Sequence, residues 1–228
     1  LLYLPQITLQ MNSFTEENYL KAIYKLLENE TVVTTNAIAE KMSTKAASVT
    51  DMLKKLSDKK LINYQKYQGV SLTAKGEKVA LMIIRKHRLW EMFLVEKLSF
   101  KWDEVHDVAE QLEHIDSDKL IAQIDKFLNY PKFDPHGDPI PDANGKFQLQ
   151  KSVPLSSLKL NEHCIMTGVV DHSSAFLQYL DKSGIVLGND IKIKEVIAFD
   201  KSLQITVNKK NTLFISNEVA KNILVIIK

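Results

Sequence analysis

Thr34-Thr-Asn-Ala-Ile-Ala-Glu-Lys-Met42, Ser43-Thr-Lys45 and Ala46-Ala-Ser-Val-Thr-Asp-Met-Leu-Lys-Lys-Leu56 read as helix, turn, helix. Upstream, Tyr19, Ile23, Tyr24 and Leu27 recur at helical spacing, which predicts an amphipathic first helix over 18–27. Downstream, Leu61 to Lys66 and Val70 to Thr73 flank Tyr67-Gln68-Gly69, a short glycine-containing loop of the kind that closes a β-hairpin. Helices followed by such a hairpin have the order of a winged helix-turn-helix.

Glycine and proline divide the rest. Between Gln6 and Tyr130 only Gly69 and Gly76 interrupt, so that half is predicted to be mostly helical. Four of the six prolines fall in Pro131 to Pro141, where helix is nearly impossible, which marks a linker. Beyond it, Val169-Val170, Ile191 to Val196, Leu203 to Val207, Leu213 to Ile215 and Ile223 to Ile227 are short β-branched runs separated by turn residues, as in a small barrel of about five strands. The expected class is α+β: a winged-helix domain over 1–76, a helical domain over 77–130, a Pro-rich linker over 131–148 and a small β-barrel over 149–228. Residues 1–10 read as an extension before Met11, without the basic region or cleavage site of a signal peptide.

The 228 residues, 45% hydrophobic and 25% charged, suit a folded chain and exclude a disordered tail or disulfide scaffold. No run approaches the roughly 18–20 apolar residues of a membrane helix. Cys164 is the single cysteine and cannot close an intrachain disulfide, so a reducing cytoplasm is the expected compartment.

The near-neutral total hides two opposite regions. Residues 41–88 carry 12 Lys+Arg and 3 Asp+Glu, net +9, whereas residues 91–138 carry 5 and 12, net −7. A basic block over a helix-turn-helix fits neutralisation of DNA phosphates, with Lys45, Lys54, Lys55, Lys59, Lys60 and Lys66 as candidates. The start of the second helix would face base edges, making Lys45, Ala46, Ala47, Ser48, Thr50 and Asp51 candidates for readout and positioning. A solvated lysine-rich face is the alternative for the charge taken alone.

The acidic region holds a second pattern. A helix is predicted from Asp103, as N-cap, to about Ile115, and on it His106, Glu110, Glu113 and His114 stand at i, i+4, i+7 and i+8, within an arc of roughly 100°. On the preceding helix His87 and Glu91 are again i and i+4. Imidazole with carboxylate and no thiolate suits divalent Mn, Fe, Co or Zn. The alternative is a cluster of packed and solvated polar side chains serving structure alone.

At these residues the chain resembles the iron- and manganese-dependent repressors of the DtxR/MntR family. The resemblance runs from about Ser13 to Lys228, and its most specific pieces are Glu17-Asn-Tyr-Leu-Lys-Ala-Ile-Tyr24, Leu72-Thr-Ala-Lys-Gly76, Arg85-Lys-His-Arg-Leu-Trp-Glu91, Val105-His-Asp-Val-Ala-Glu-Gln-Leu-Glu-His114 and Pro135-His-Gly-Asp-Pro-Ile-Pro141. Asp171-His172 to Leu180 and Gly184-Ile-Val-Leu-Gly188 resemble an FeoA-type, SH3-like barrel. The resemblance implies a repressor of metal homeostasis genes that binds palindromic operator DNA as a homodimer, with a helical metal-binding and dimerisation domain and the stripe Leu89, Trp90, Phe93, Leu94 and Leu98 at the dimer interface, although core packing inside one subunit explains that stripe equally well. It implies a primary site of Glu110, Glu113 and His114 with Asn18 from the first helix. An ancillary site would use His87, Glu91 and His106, with His136 and Asp171 or His172 as additions; in manganese-type members His87 joins the primary site. The ion would clamp the first helix, which leads into the DNA-binding unit, to the helix carrying Glu110, Glu113 and His114.

Four departures bear on the metal. Glu110 stands where iron-type members have cysteine, which favours Mn(II), with Fe(II) the alternative. Asn18 replaces a methionine or acidic ligand and Lys21 a second carboxylate of the first helix, while Asp134 replaces a cysteine. A binuclear metalloenzyme is the competing class. Such bundles usually need Glu-x-x-His on each of two helices. Neither helix carries it, and no phosphate loop or nucleophile elbow is present.

Overall fold

The computed structural model describes residues 12–28, 30–65 and 68–228, which form two compact units. The expectations placed on residues 1–10 and on Lys66 lie outside the described residues.

The first unit, residues 1–85 with 143–145, opens with α1 (Phe14–Leu27). Ser13 Oγ accepts from the Glu16 amide at 3.3 Å while the Glu16 carboxylate accepts from the Ser13 amide at 2.7 Å, a reciprocal capping box. Thr34 caps α2 (Thr35–Lys41), Ser43 turns the chain in a left-handed conformation (φ 48°), and Lys45 precedes α3 (Ala46–Asp58). The interruption expected at Ser43 to Lys45 is thus the turn of the helix-turn-helix. Val49, Leu53 and Leu56 form the buried stripe of α3 and pack with Leu20, Ile23 and Ile38. The wing is β1 (Ile62–Gln65) paired antiparallel with β2 (Gly69–Leu72), Tyr64 opposite Val70. Thr73 closes this unit by donating its hydroxyl to the Lys60 and Leu61 carbonyls and accepting the Gly76 amide at the start of α4 (Ala74–Leu98). A β-carbon on Gly76 would sit 1.9 Å from the Leu61 oxygen, so only glycine lets α4 begin there.

The second unit comprises residues 86–142 and 146–228. The C-terminal part of α4 packs through Leu89 and Trp90 against α5 (His106–Leu112) and α6 (Asp118–Phe127), burying Ala109, Ile121 and Ile124. α5 starts two residues later than the sequence predicts. The Asp103 carbonyl accepts from the Ser174 hydroxyl at 3.0 Å and its carboxylate from the Gln178 amide at 2.7 Å, so Asp103 is not the N-cap, a position Val105 fills. Six strands then form one antiparallel sheet in the order β3 (Val153–Pro154), β8 (Ile223–Ile227), β4 (His163–Val169), β5 (Asp190–Val196), β6 (Leu203–Val207) and β7 (Asn211–Ile215). Two helices accompany it, α7 (Ser174–Ser183) and α8 (Asn217–Lys221), and the sheet curves through bulges at Met166/Gly168 and Ile193/Glu195 around Cys164, Met166, Leu177, Leu180, Ile205 and Val225. This is the architecture expected of a small SH3-like domain.

Residues 131–142, though proline-rich, are fixed rather than free. Asp134 Oδ1 accepts the amides of His136 (2.8 Å) and Asp138 (3.0 Å), Phe133 bridges Pro139, and the His136 carbonyl accepts from Val169 at 3.0 Å. Gly137 has φ +90°, and a β-carbon there would fall 2.0 Å from the Thr167 oxygen. Gly137→Ala is therefore expected to cost about 1–3 kcal/mol of stability. Gly184→Ala, where nothing lies within 4 Å, should cost only about 1 kcal/mol for its left-handed backbone. Thermal denaturation of both variants with the same metal content checks the order.

Candidate metal centre

Helix α4 holds His87 and Glu91 one turn apart, and both are buried. His87 Nε2 lies 3.0 Å from Glu91 Oε1, and Nδ1 lies 2.7 Å from Oε2 of Glu113, which follows α5 and is fully buried. Both imidazole nitrogens therefore face carboxylate, an arrangement that asks for a doubly protonated ring. Burial works against that charge, but the hydrogen bonds to Glu113 and Glu91 outweigh it and push the His87 pKa up to about 9.

Around this pair, His106 Nδ1 is 3.6 Å from Glu91 Oε1, and its Nε2 is 3.8 Å from Glu110 Oε1. The His87 and His106 rings meet edge to face at 5.0 Å. His114 Nε2 is 3.7 Å from Glu113 Oε1. On the other side of Glu91, His136 Nδ1 is 3.7 Å from Oε2. Burial raises the Glu91 pKa, but His106, His136 and His87 together hold it well below the usual carboxylate range. Six of the residues named from the sequence, His87, Glu91, His106, Glu110, Glu113 and His136, thus share one neighbourhood, and His114 joins it through Glu113.

The remaining candidates sit differently. Asp171 accepts the Ser173 amide at 2.8 Å, next to the cap of α7, and the His172 ring stacks on the His136 ring at 4.8 Å. Asn18 lies on α1 in the first unit, and its Oδ1 is buried with no hydrogen-bond partner among the described residues.

Asp134, noted in the sequence only as a replacement, belongs among the donors. Oxygen and nitrogen atoms of Glu91, Asp134 and His136 lie within 4.8 Å of one another, as do those of His87, His106 and Glu110. Burial, then the charges of Glu91 and Asp138, raise the Asp134 pKa to about 7 despite Arg88 and His136. Arg88 spans Asp134 (3.5 Å), Asp138 (2.8 Å) and the Pro139 carbonyl (2.6 Å), a role that its place next to His87 in sequence does not reveal. Trp102 was also unmarked: its carbonyl lies 2.8 Å from His136 Nε2, and its indole donates to Asp181 on α7 at 3.0 Å. With Nε2–H donated there, Nδ1 is the ring nitrogen turned toward Glu91. That nitrogen is buried with no hydrogen bond, as a ligand nitrogen held by its other ring nitrogen would be. The residues fit a divalent ion with nitrogen and oxygen ligands. Cys164 is not among them: its thiol is buried in the barrel and donates weakly to the Ile191 carbonyl.

In the first unit, Lys45, Ala46, Ala47 and Ser48 are exposed at the start of α3. Thr50 Oγ1 donates back to the Ala46 carbonyl at 2.9 Å, and exposed Asp51 pairs with Lys54 at 3.3 Å. Lys55 is instead 3.3 Å from Glu16.

Three family models cover most of the chain: the iron dependent repressor N-terminal DNA binding domain over residues 11–70, the iron dependent repressor metal binding and dimerisation domain over 73–142, and the FeoA domain over 153–227. The HTH-type transcriptional regulator MntR of Oceanobacillus iheyensis is 34% identical over 146 residues, 64% of this chain and 93% of that protein. The chain belongs to the iron-dependent repressor family. The diphtheria toxin repressor of Corynebacterium jeikeium is 31% identical over 140 residues, 61% of this chain and 57% of that protein, so the match spans little more than half of that relative. Among solved structures, a manganese-dependent transcriptional repressor in complex with manganese superposes with a TM-score of 0.83 at 32% identity, covering 93% of this chain and all of that one. Members of this family are metal-dependent transcriptional repressors that bind DNA and dimerise; they are not enzymes, which removes the metalloenzyme class.

The protonated histidines make a prediction for the metal-free protein. The His87 and His136 pKa values stand at about 9 against an ordinary 6.5, so their contribution to stability is complete below about 6.5 and is lost as pH rises through about 9. In chelator, the melting temperature should fall between pH 7 and 9.5, while Glu91, held low, makes it fall again in acid. Adding Mn(II) should flatten the alkaline fall, because the ion takes the place of those protons. Thermal melts in matched buffers with and without metal test this.

Proposed function

We propose that this chain is a dimeric DNA-binding repressor of metal-ion homeostasis genes, activated by Mn(II), with Fe(II) as the alternative effector. The observation that carries the reading is the convergence of His87, Glu91, His106, Glu110, Glu113, Asp134 and His136, a donor set of nitrogen and oxygen without sulfur. Carboxylate and imidazole suit Mn(II), and Fe(II) shares those preferences. Asn18, with its buried and unpartnered amide oxygen, and His114 are proposed as further ligands. Asp171 or His172 is proposed to complete the ancillary site from the barrel, His172 already lying on the His136 ring.

A bound ion supplies divalent positive charge among buried carboxylates. His87 and His136 give up a proton to bind it, and Asp134 a further fraction, so metal uptake releases protons. Trp102 and Arg88 hold His136 and Asp134 in place through these changes. Operator affinity and metal affinity are linked by one coupling factor, so whichever ligand binds first strengthens the second.

For DNA, the proposed contacts are Lys45, Ala46, Ala47, Ser48, Thr50 and Asp51 at base edges or in positioning, and Lys54 and Lys66 at phosphates. For the dimer, Leu89, Trp90 and Leu94 of the expected stripe are buried within one protomer, so they are core. The proposed interface uses the apolar surface still exposed in the helical part of the second unit, Leu98, Leu120, Phe127 and Tyr130. A second reading has one observation in its favour: a protonated His87 between Glu91 and Glu113 is also a structural salt link.

One titration separates these readings. Operator-like palindromes selected from a random pool are titrated with protein in chelator, Mn(II), anaerobic Fe(II) or Zn(II). The expected result is binding at least tenfold tighter with Mn(II) than in chelator; equal binding in chelator removes the metal switch. Glu113→Ala and His114→Ala should abolish the metal response, whereas a purely structural cluster predicts lower stability with the response intact. Phe127→Glu should give monomers by light scattering and weaken operator binding; an intact dimer would place the interface elsewhere.

A further inference from the structure

Glu16 stands in the first turn of α1 with its side chain 1% exposed, yet it is charged and engaged with a helix more than forty residues away in sequence. Its Oε2 accepts the Ser13 amide at 2.7 Å and the Lys59 ammonium at 2.8 Å. Its Oε1 has no hydrogen-bond partner among the described residues but lies 3.3 Å from Lys55 Nζ, an ion pair. Lys55 is in the last turn of α3 and Lys59 is its C-cap, one helical turn apart and so on the same face. The placement is favourable at both ends, with a carboxylate at the positive N-terminus of α1 and two ammonium groups at the negative C-terminus of α3.

We propose that Glu16 is a positioning residue for DNA recognition. It anchors the C-terminal end of the recognition helix to α1 and withholds Lys55 and Lys59 from DNA phosphates, so that α3 presents its N-terminal residues to base edges in one fixed orientation. The inference rests on α3 being the helix that reads DNA. A buried carboxylate is costly unless paired, so α3 cannot slide or turn on α1 without stranding that charge. The 13 residues of α3 span about 20 Å, so a tilt of only ~5° about the anchored end moves Lys45 and Ala46 by nearly 2 Å, enough to break a hydrogen bond to a base. Sorting the lysines follows: Lys54, with its side chain 65% exposed, faces solvent, whereas Lys59, at 18%, is committed to Glu16. The charge block read from the sequence therefore overstates what the helix offers to phosphates.

The test is Glu16→Gln, which keeps an acceptor for the Ser13 amide and removes the charge. With Mn(II) present, binding to a selected operator and to a scrambled duplex is measured from low to high salt, together with thermal stability. Release of the two lysines should steepen the scrambled-duplex slope of log K against log salt by about 1–2, at roughly 0.9 per phosphate neutralised, and should lower the operator-to-scrambled affinity ratio by about tenfold. Lys59→Met should lower the ratio without steepening the slope to that extent, and the double variant should fall no further than the worse single one. If Glu16→Gln does not fold, Lys59→Met alone carries the test through the affinity ratio. An unchanged ratio and slope, or an equal loss of affinity for both duplexes in step with lost stability, overturns the positioning role. Wild-type protein that binds neither duplex overturns the reading of α3, and the proposal with it.

Discussion

His87 between Glu91 and Glu113 is the contact on which the second unit is organised. Two carboxylates buried to this degree cannot both remain charged beside each other without a cation, because the cost of removing ions from water exceeds what packing returns. A doubly protonated imidazole satisfies both, one at each nitrogen. The same geometry makes the cation exchangeable. A histidine proton is held with a pKa near 9, within reach of competition by a divalent ion, and the surrounding ligands are already turned inward.

The scaffold fixes what surrounds that contact. The single continuous helix α4 sets His87 and Glu91 one turn apart and places Arg88 on an adjacent face, where it holds Asp134 and Asp138. The turn around Gly137 then delivers Asp134 and His136 as a pair, and Trp102 fixes the ring nitrogen that faces Glu91. Because the Trp102 indole also bonds to Asp181 on α7 and His172 lies on His136, the barrel touches the proposed ligands from two directions. The barrel, whose docking the sequence leaves open, is thereby part of what orients His136, a proposed ligand.

Periodicity reveals local helical pairs well and distant pairs poorly. His87 with Glu91 and His106 with Glu110 were legible because i and i+4 residues share a helix face whatever the tertiary structure. The helix-turn-helix was legible for the same reason, its apolar stripe being regular through Val49, Leu53 and Leu56. Asp134 was visible only as a substitution, because its participation depends on a turn folding back against α4. Asp103 looked like a helix cap because Asp before an apolar-periodic run usually is one, but its oxygens are claimed by Ser174 and Gln178 across the unit. The apolar stripe of α4 allowed both a core and an interface reading; most of it is core, and the large apolar residues still exposed in the helical part of the second unit lie mainly on α6 and just beyond its end.

Glu16 and Glu91 pose the same physical problem, a carboxylate buried in a helical unit, and the chain solves it with different cations. The Glu16 pair joins its carboxylate to two ammonium groups and suits a geometry that must not vary, the proposed seat of the recognition helix. Histidine yields its proton readily, so the cluster around Glu91 suits a charge that must be replaced when a metal arrives. Lysines at His87 and His136 would hold the carboxylates as well but would surrender their protons to a divalent ion only at a far greater cost in affinity, about tenfold for each unit by which the pKa exceeds the working pH. The choice of cation beside each buried carboxylate thus separates the part of the molecule proposed to hold DNA in register from the part proposed to respond to metal.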